Sequence, residues 1–164
     1  MSRRIRTHAR TTSPAGFTLV ELVVVMTIAG VLAATIGPKF FSQQTFSERG
    51  YADELAAALR LAQKAAVISG CPARVTISAS GYTAAQQAAS GNACLASDTS
   101  WSTPLLANDG SALQGNAPSG TAVSPTGIYQ FDTQGRLASS PGTTVTVGAR
   151  SISIDAGSGF VQVQ

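Results

Sequence analysis

Charged side chains are scarce in this chain: 12% of 164 residues, against roughly 25% in an ordinary soluble domain. Histidine is scarcer still. The single one, His8, sits near the N-terminus, so no imidazole is available further along for a catalytic triad, a facial metal triad or a histidine general base. The two cysteines, Cys71 and Cys94, have no histidine neighbours with which to complete a four-ligand zinc site, and they stand too far apart for a Cys-x-x-Cys redox pair. Asp98, Asp109, Asp132 and Asp155 are scattered singly over loops and turns and make no calcium loop. A glycine loop followed by Lys-Ser or Lys-Thr is also missing, which excludes a nucleotide-driven motor. The composition points away from catalysis, metals and cofactors. With 44% hydrophobic residues the chain is no disordered tail, and its 16 glycines favour turns and short strands over a helical bundle. Its length suits one modest domain.

What charge there is lies unevenly. Arg3, Arg4, Arg6 and Arg10 supply four of the 11 basic residues within the first ten positions, where no acid occurs. Phe17 to Gly37 then forms a 21-residue apolar run interrupted only by Glu21. As a helix this run is about 31 Å long, close to the ~30 Å hydrocarbon core of a bilayer. The arginines ahead of it keep the N-terminus cytoplasmic and send everything beyond Gly37 to the far, oxidising side. A secretory signal cut near Ala33-Ala34 is the simpler alternative, but the run is longer than the usual apolar region of such a signal and carries a carboxylate. Glu21 would cost about 2.5–3.5 kcal/mol at the membrane centre. The span holds no Lys, Arg or His to pair with it, so its partner lies outside the helix or is created by processing, as a newly cut N-terminus at Phe17 would be.

Gly16-Phe17-Thr18-Leu19-Val20-Glu21, behind a short basic leader and ahead of an apolar helix, resembles the type III signal of type IV pilins and type II secretion pseudopilins. The resemblance implies that a membrane prepilin peptidase cuts after Gly16 and methylates Phe17, giving an N-methylphenylalanine terminus. It also implies that Glu21 is the assembly residue, paired with the terminal amine of a neighbouring subunit. The physics agrees, since a carboxylate penalised alone in lipid is tolerated when paired, so Glu21 favours the assembled filament. A plain signal-anchor whose glutamate snorkels to the interface is the competing reading. Removing residues 1–16 leaves seven basic and eight acidic side chains, so the +3 of the whole chain becomes −1.

Pro38 is expected to kink or locally melt the helix, as a proline at about this point does in many pilins. Residues 38–70 then read as its amphipathic half. Leu55, Ala58, Leu59, Ala62 and Ala66 recur at helical spacing, while Arg49, Asp53, Arg60 and Lys64 form a separate, solvated stripe. Gly50 weakens the helix locally, and Gly70 and Pro72 end it. From residue 71 the period changes to two. Arg74–Ala79 and Tyr82–Gln87 read as a hairpin about Ser80-Gly81. Residues 88–125 form a long Ser/Gly/Asn-rich excursion, with Trp101 expected as its anchor, buried against the core. Strands follow at Gly127–Phe131, Thr143–Val147, Ser151–Ile154 and Phe160–Gln164, read as an antiparallel meander covering the Leu55/Leu59/Ala62 side of the helix. The expected fold is α+β, a long N-terminal helix packed on an antiparallel head spanning 71–164. On the oxidising side Cys71 and Cys94 are expected to join, closing a loop of roughly 24 residues and stabilising the head by about 3 kcal/mol.

The head order, with Trp101 ahead of a Phe131-Asp132-x-x-Gly135-Arg136 turn, resembles the minor pilin group that includes the H-type pseudopilin and FimT. Phe46-Ser47-Glu48-Arg49-Gly50-Tyr51, Leu59-Arg60-x-Ala62-Gln63-Lys64 and Gly70-Cys71-Pro72 look most like minor pilins of mannose-sensitive haemagglutinin-type pili. This implies an inner-membrane subunit with a periplasmic head, whose partners are other pilins, the assembly platform and the prepilin peptidase. It would join a type IV pilus or secretion pseudopilus near the tip or at initiation. The alternative is a tip adhesin or DNA receptor working through the 88–125 excursion, but that loop has one Trp and no Lys or Arg. FimT-like DNA capture uses a C-terminal Gly-Arg-x-Arg, and here the corresponding residues are Gly159-Phe160-Val161-Gln162. DNA is not expected as a partner.

Overall fold

The computed structural model describes residues 16, 18–91, 93–95 and 97–164. The chain divides into two compact units, one ending at Phe40 and the other running from Phe41 to Gln164. A single helix, α1 (Leu19–Ser69), contributes to both, and its helical backbone is unbroken at Pro38 and Gly50. The local melting expected at Pro38 is therefore absent. A proline removes one N–H donor, and a helix can carry that loss when the turns on either side continue. In the first unit the apolar side chains Leu19, Val20, Leu22, Val25, Met26 and Val31 are all more than half exposed. Among the described residues no helix is long and apolar enough to cross a membrane. Phe17, which opens the expected span, lies outside the described residues, as do residues 1–15 of the leader.

In the second unit α1 buries one stripe completely. Ala52, Leu55, Ala56, Leu59, Ala62 and Ala66 are inaccessible to solvent, while Arg49, Asp53, Arg60 and Lys64 stay exposed on the other side. Gly70, with φ of 66°, ends the helix in the left-handed conformation that suits a residue without a Cβ. The chain then alternates. β1 (Ala73–Ser78) and β2 (Gly81–Gln86) form the expected hairpin, with Val75 opposite Ala84 and Ile77 opposite Tyr82. The excursion opens with the short strands β3 (Ala89–Ser90), β4 (Ala93–Cys94), β5 (Thr103–Pro104) and β6 (Gln114–Asn116). Next come β7 (Val123–Ser124), β8 (Gly127–Phe131), β9 (Leu137–Ser139), β10 (Thr144–Val147), β11 (Arg150–Ile154) and β12 (Val161–Val163).

These strands do not make one meander. The larger sheet runs β5-β2-β1-β8-β9, with β6 also paired to β2; the smaller runs β12-β11-β10-β7, and β3 and β4 pair alone. β8 lies antiparallel to β1, placing Phe131 opposite Ala73 and Tyr129 opposite Val75. Alternation specifies which face of a strand is apolar but not which strand lies beside it, and the two sheets satisfy that pattern by sharing one core. Val75, Ile77, Tyr129 and Phe131 from one sheet and Val145, Val147, Ile152, Ile154 and Val161 from the other pack in a single cluster with the buried helix stripe. The α+β head follows from that shared burial.

Candidate functional site

The N-terminal motif is held by its own backbone. Thr18 precedes the helix; its Oγ1 accepts the Glu21 N–H at 3.2 Å, and its carbonyl accepts the Leu22 N–H at 3.2 Å. Thr18 is thus the N-cap and Glu21 stands at the third helical position, the Thr-x-x-Glu spacing of a capping box. Hydropathy alone conceals this role, although the spacing is written in the sequence. The Glu21 carboxylate lies in the first turn, where the helix dipole favours negative charge by about 0.3–1 kcal/mol. Gly16 is exposed, with open space where a Cβ would stand. Around this end the apolar side chains from Leu19 to Met26 are about half exposed or more, and a contiguous exposed apolar surface marks an interaction face.

At the other end of α1, side chains of the polar stripe clamp the head. The Arg60 guanidinium donates from Nε at 3.1 Å and from Nη2 at 3.0 Å to the Val161 carbonyl of β12. One turn on, Gln63 Nε2 donates to the carbonyls of Gly135 at 3.1 Å and Ser158 at 2.7 Å. Gly159, with φ of 68°, makes room for this: a Cβ there would collide with both the Gly135 carbonyl and the Gln63 amide. Arg60 is therefore a structural donor as well as a surface charge, which corrects the reading of the stripe as merely solvated. Tyr82 donates its hydroxyl to Glu54 at 2.8 Å, and burial together with that carboxylate pushes the phenol well above its usual range. The Cys71–Cys94 disulfide joins the chain two residues beyond the helix to β4, across a separation of 23 residues with Cα atoms 5.4 Å apart.

The four loop aspartates serve their own turns. Asp98 accepts from the Ser100 hydroxyl at 2.6 Å, the Ala88 N–H at 2.7 Å and the Trp101 N–H at 3.0 Å, and the Ser100 hydroxyl above all holds its pKa down to about 2. Asp109 and Asp155 are lowered in the same way by the hydroxyls of Ser111 and Ser158. At Asp132 burial acts in the opposite direction, and the Arg136 N–H and guanidinium outweigh it. Trp101 departs from expectation. Its ring is half-buried and outside the core cluster, and the Arg74 guanidinium lies over it, 4.8 Å from the centroid.

A capped apolar helix that continues into an antiparallel, disulfide-closed head defines a pilin-type subunit, built for packing into an assembly. The prokaryotic N-terminal methylation motif matches residues 12–37. The type II transport protein GspH family matches residues 51–161, more than half of the chain, and the chain belongs to that family. No curated protein and no solved structure matches it. The chain is accordingly a minor pilin or pseudopilin, a structural subunit of pilus or secretion-system assembly, and membership implies processing as a prepilin, other subunits of this class as partners and a membrane-anchored, extracytoplasmic setting.

Proposed function

We infer that residues 17–37 insert in the inner membrane as a single pass with the head in the periplasm, and that prepilin peptidase cuts after Gly16 and methylates Phe17. Glu21 then pairs with the terminal amine of a neighbouring subunit as the filament assembles, with this chain near the tip or at initiation. Pro38 bends α1 without breaking it, between its membrane and head-bound halves. No catalytic step is assigned to the head. The observation that supports this reading is the methylation motif matching residues 12–37, a range that includes Gly16, Phe17 and Glu21. The energetics support it, because the uncovered apolar side chains of α1 and its one carboxylate both gain from burial among like helices, where the charge finds a partner. Mass spectrometry of the mature protein tests the reading. A methylated Phe17 terminus is expected; an intact leader, or cleavage near Ala34, would overturn it.

A further inference from the structure

The outward face of the larger sheet carries a constellation to which no role has yet been given. Arg74 points outward from β1, between the buried Ala73 and Val75. Among the described residues its guanidinium enters no ion pair, and its ring contact is with Trp101. The nearest acid that acts on it is Asp98, whose oxygens are already engaged by Ala88, Ser100, Trp101 and Ser102. Trp101 itself has φ of 56°, a left-handed conformation that bulky residues rarely adopt. Core burial does not account for this, because the indole stays outside the core. The Asp98 carboxylate, which accepts the Trp101 N–H, holds that conformation, and the ring lies beside Arg74.

The register extends the site. Ala85 lies opposite both Arg74 and Pro104, so only a methyl group separates the β5 edge from the arginine on that row, and Gln130 flanks Arg74 on the other side. Two residues along β1, about 6–7 Å away, Thr76 and Thr83 open a groove of about 350 Å³ bounded by Ser78, Ser80, Gln114 and Asn116. The groove is lined by hydroxyls and amides and contains no charged side chain.

We propose that this face binds an acidic saccharide, with the carboxylate of one sugar at Arg74 beside Trp101 and the hydroxyls of the next sugar in the Thr76–Asn116 groove. One cation, one indole and a row of neutral hydrogen-bonding groups match a ligand carrying a single charge and several hydroxyls per unit. They do not match nucleic acid, where affinity grows with the number of phosphates neutralised and a lone arginine contributes little. The excursion has no cation of its own, and β1 supplies one.

Trp101 is the only tryptophan, so its fluorescence reports the site directly. The full-length chain in detergent is titrated with tetragalacturonate, with the fully methyl-esterified tetramer and with a single-stranded oligonucleotide of equal charge. A saturable change with the acid, at least tenfold weaker with the ester and with the oligonucleotide, is expected. Arg74→Gln should weaken binding of the acid at least tenfold, and Gln114→Ala, on an exposed edge, about threefold. No saturable change, equal binding of the ester, tighter binding of the oligonucleotide, or a folded Gln114→Ala that binds like the parent would each overturn the proposal.

Discussion

Arg60 and Val161 are joined across 101 residues of chain by a guanidinium that donates twice to one carbonyl. The bond fastens the last strand, β12, to the helix, and one turn later Gln63 ties the carbonyls of Gly135 and Ser158 to the same helix. Arg60→Ala should lower stability by about 1.5 kcal/mol, the low end for hydrogen bonds to a charged donor because the side chain is partly solvated. Arg60→Lys should recover only part of this, since an ammonium cannot reproduce the two-pronged geometry. Urea unfolding of each variant measures the effect; an unchanged midpoint for Arg60→Ala would return the residue to the solvated stripe.

The disulfide closes the segment between the helix end and the β3–β4 hairpin. Cys71→Ser with Cys94→Ser should cost about 3 kcal/mol, most of it by freeing the unfolded chain. Reducing and non-reducing denaturation curves of the parent should differ by the same amount, while the double variant should be indifferent to reductant.

The depressed pKa of Asp98 has a stability consequence of defined sign. Its contribution is fully present above the unfolded carboxylate value near 3.9 and is lost as pH falls toward about 2, where the folded carboxylate takes up its proton. Asp98→Asn should remove that acid limb and release the backbone of Trp101. Acid unfolding followed by Trp101 emission reads both effects, and an identical acid limb in parent and variant would contradict the role assigned to Asp98.

Glu21→Gln keeps the size of the side chain and the backbone cap to Thr18 while removing the charge. Under the proposed assembly reading the variant is still cleaved and methylated, but its incorporation into filaments falls at least tenfold. Quantifying the subunit in sheared filaments by immunoblot, beside the mass of the mature terminus, separates a processing defect from an assembly defect. Parental levels in the filament would remove Glu21 from the pairing role.

The hairpin β1–β2 and the buried helix stripe were legible because each is a local period, two in one case and about 3.6 in the other. The division into two sheets was not. β8 pairs with β1 from fifty or more residues away, and the apolar alternation of Gly127–Phe131 would serve a partner in either sheet. β9 was missed because Leu137–Ser139 is too short to show a period. At the N-terminus the motif was readable, whereas the cap by Thr18 is hidden behind a hydropathy signal strong enough to explain Leu19–Val25 alone. The length and polarity of Arg60 suggested a surface charge, and only the return of β12 to the helix gives that guanidinium a carbonyl. Trp101 was expected in the core on the strength of its size, but a carboxylate at Asp98 holds its backbone in a conformation that turns the ring elsewhere.

Cys71 directly follows the glycine that ends α1, while Cys94 lies beyond the first hairpin in the chain. A thiol pair of this kind stays open in a reducing compartment and closes in an oxidising one. The bridge therefore orders events in the life of the subunit: the head can be made in one place and completed in another, and a closed loop is a covalent record that the chain has made the journey.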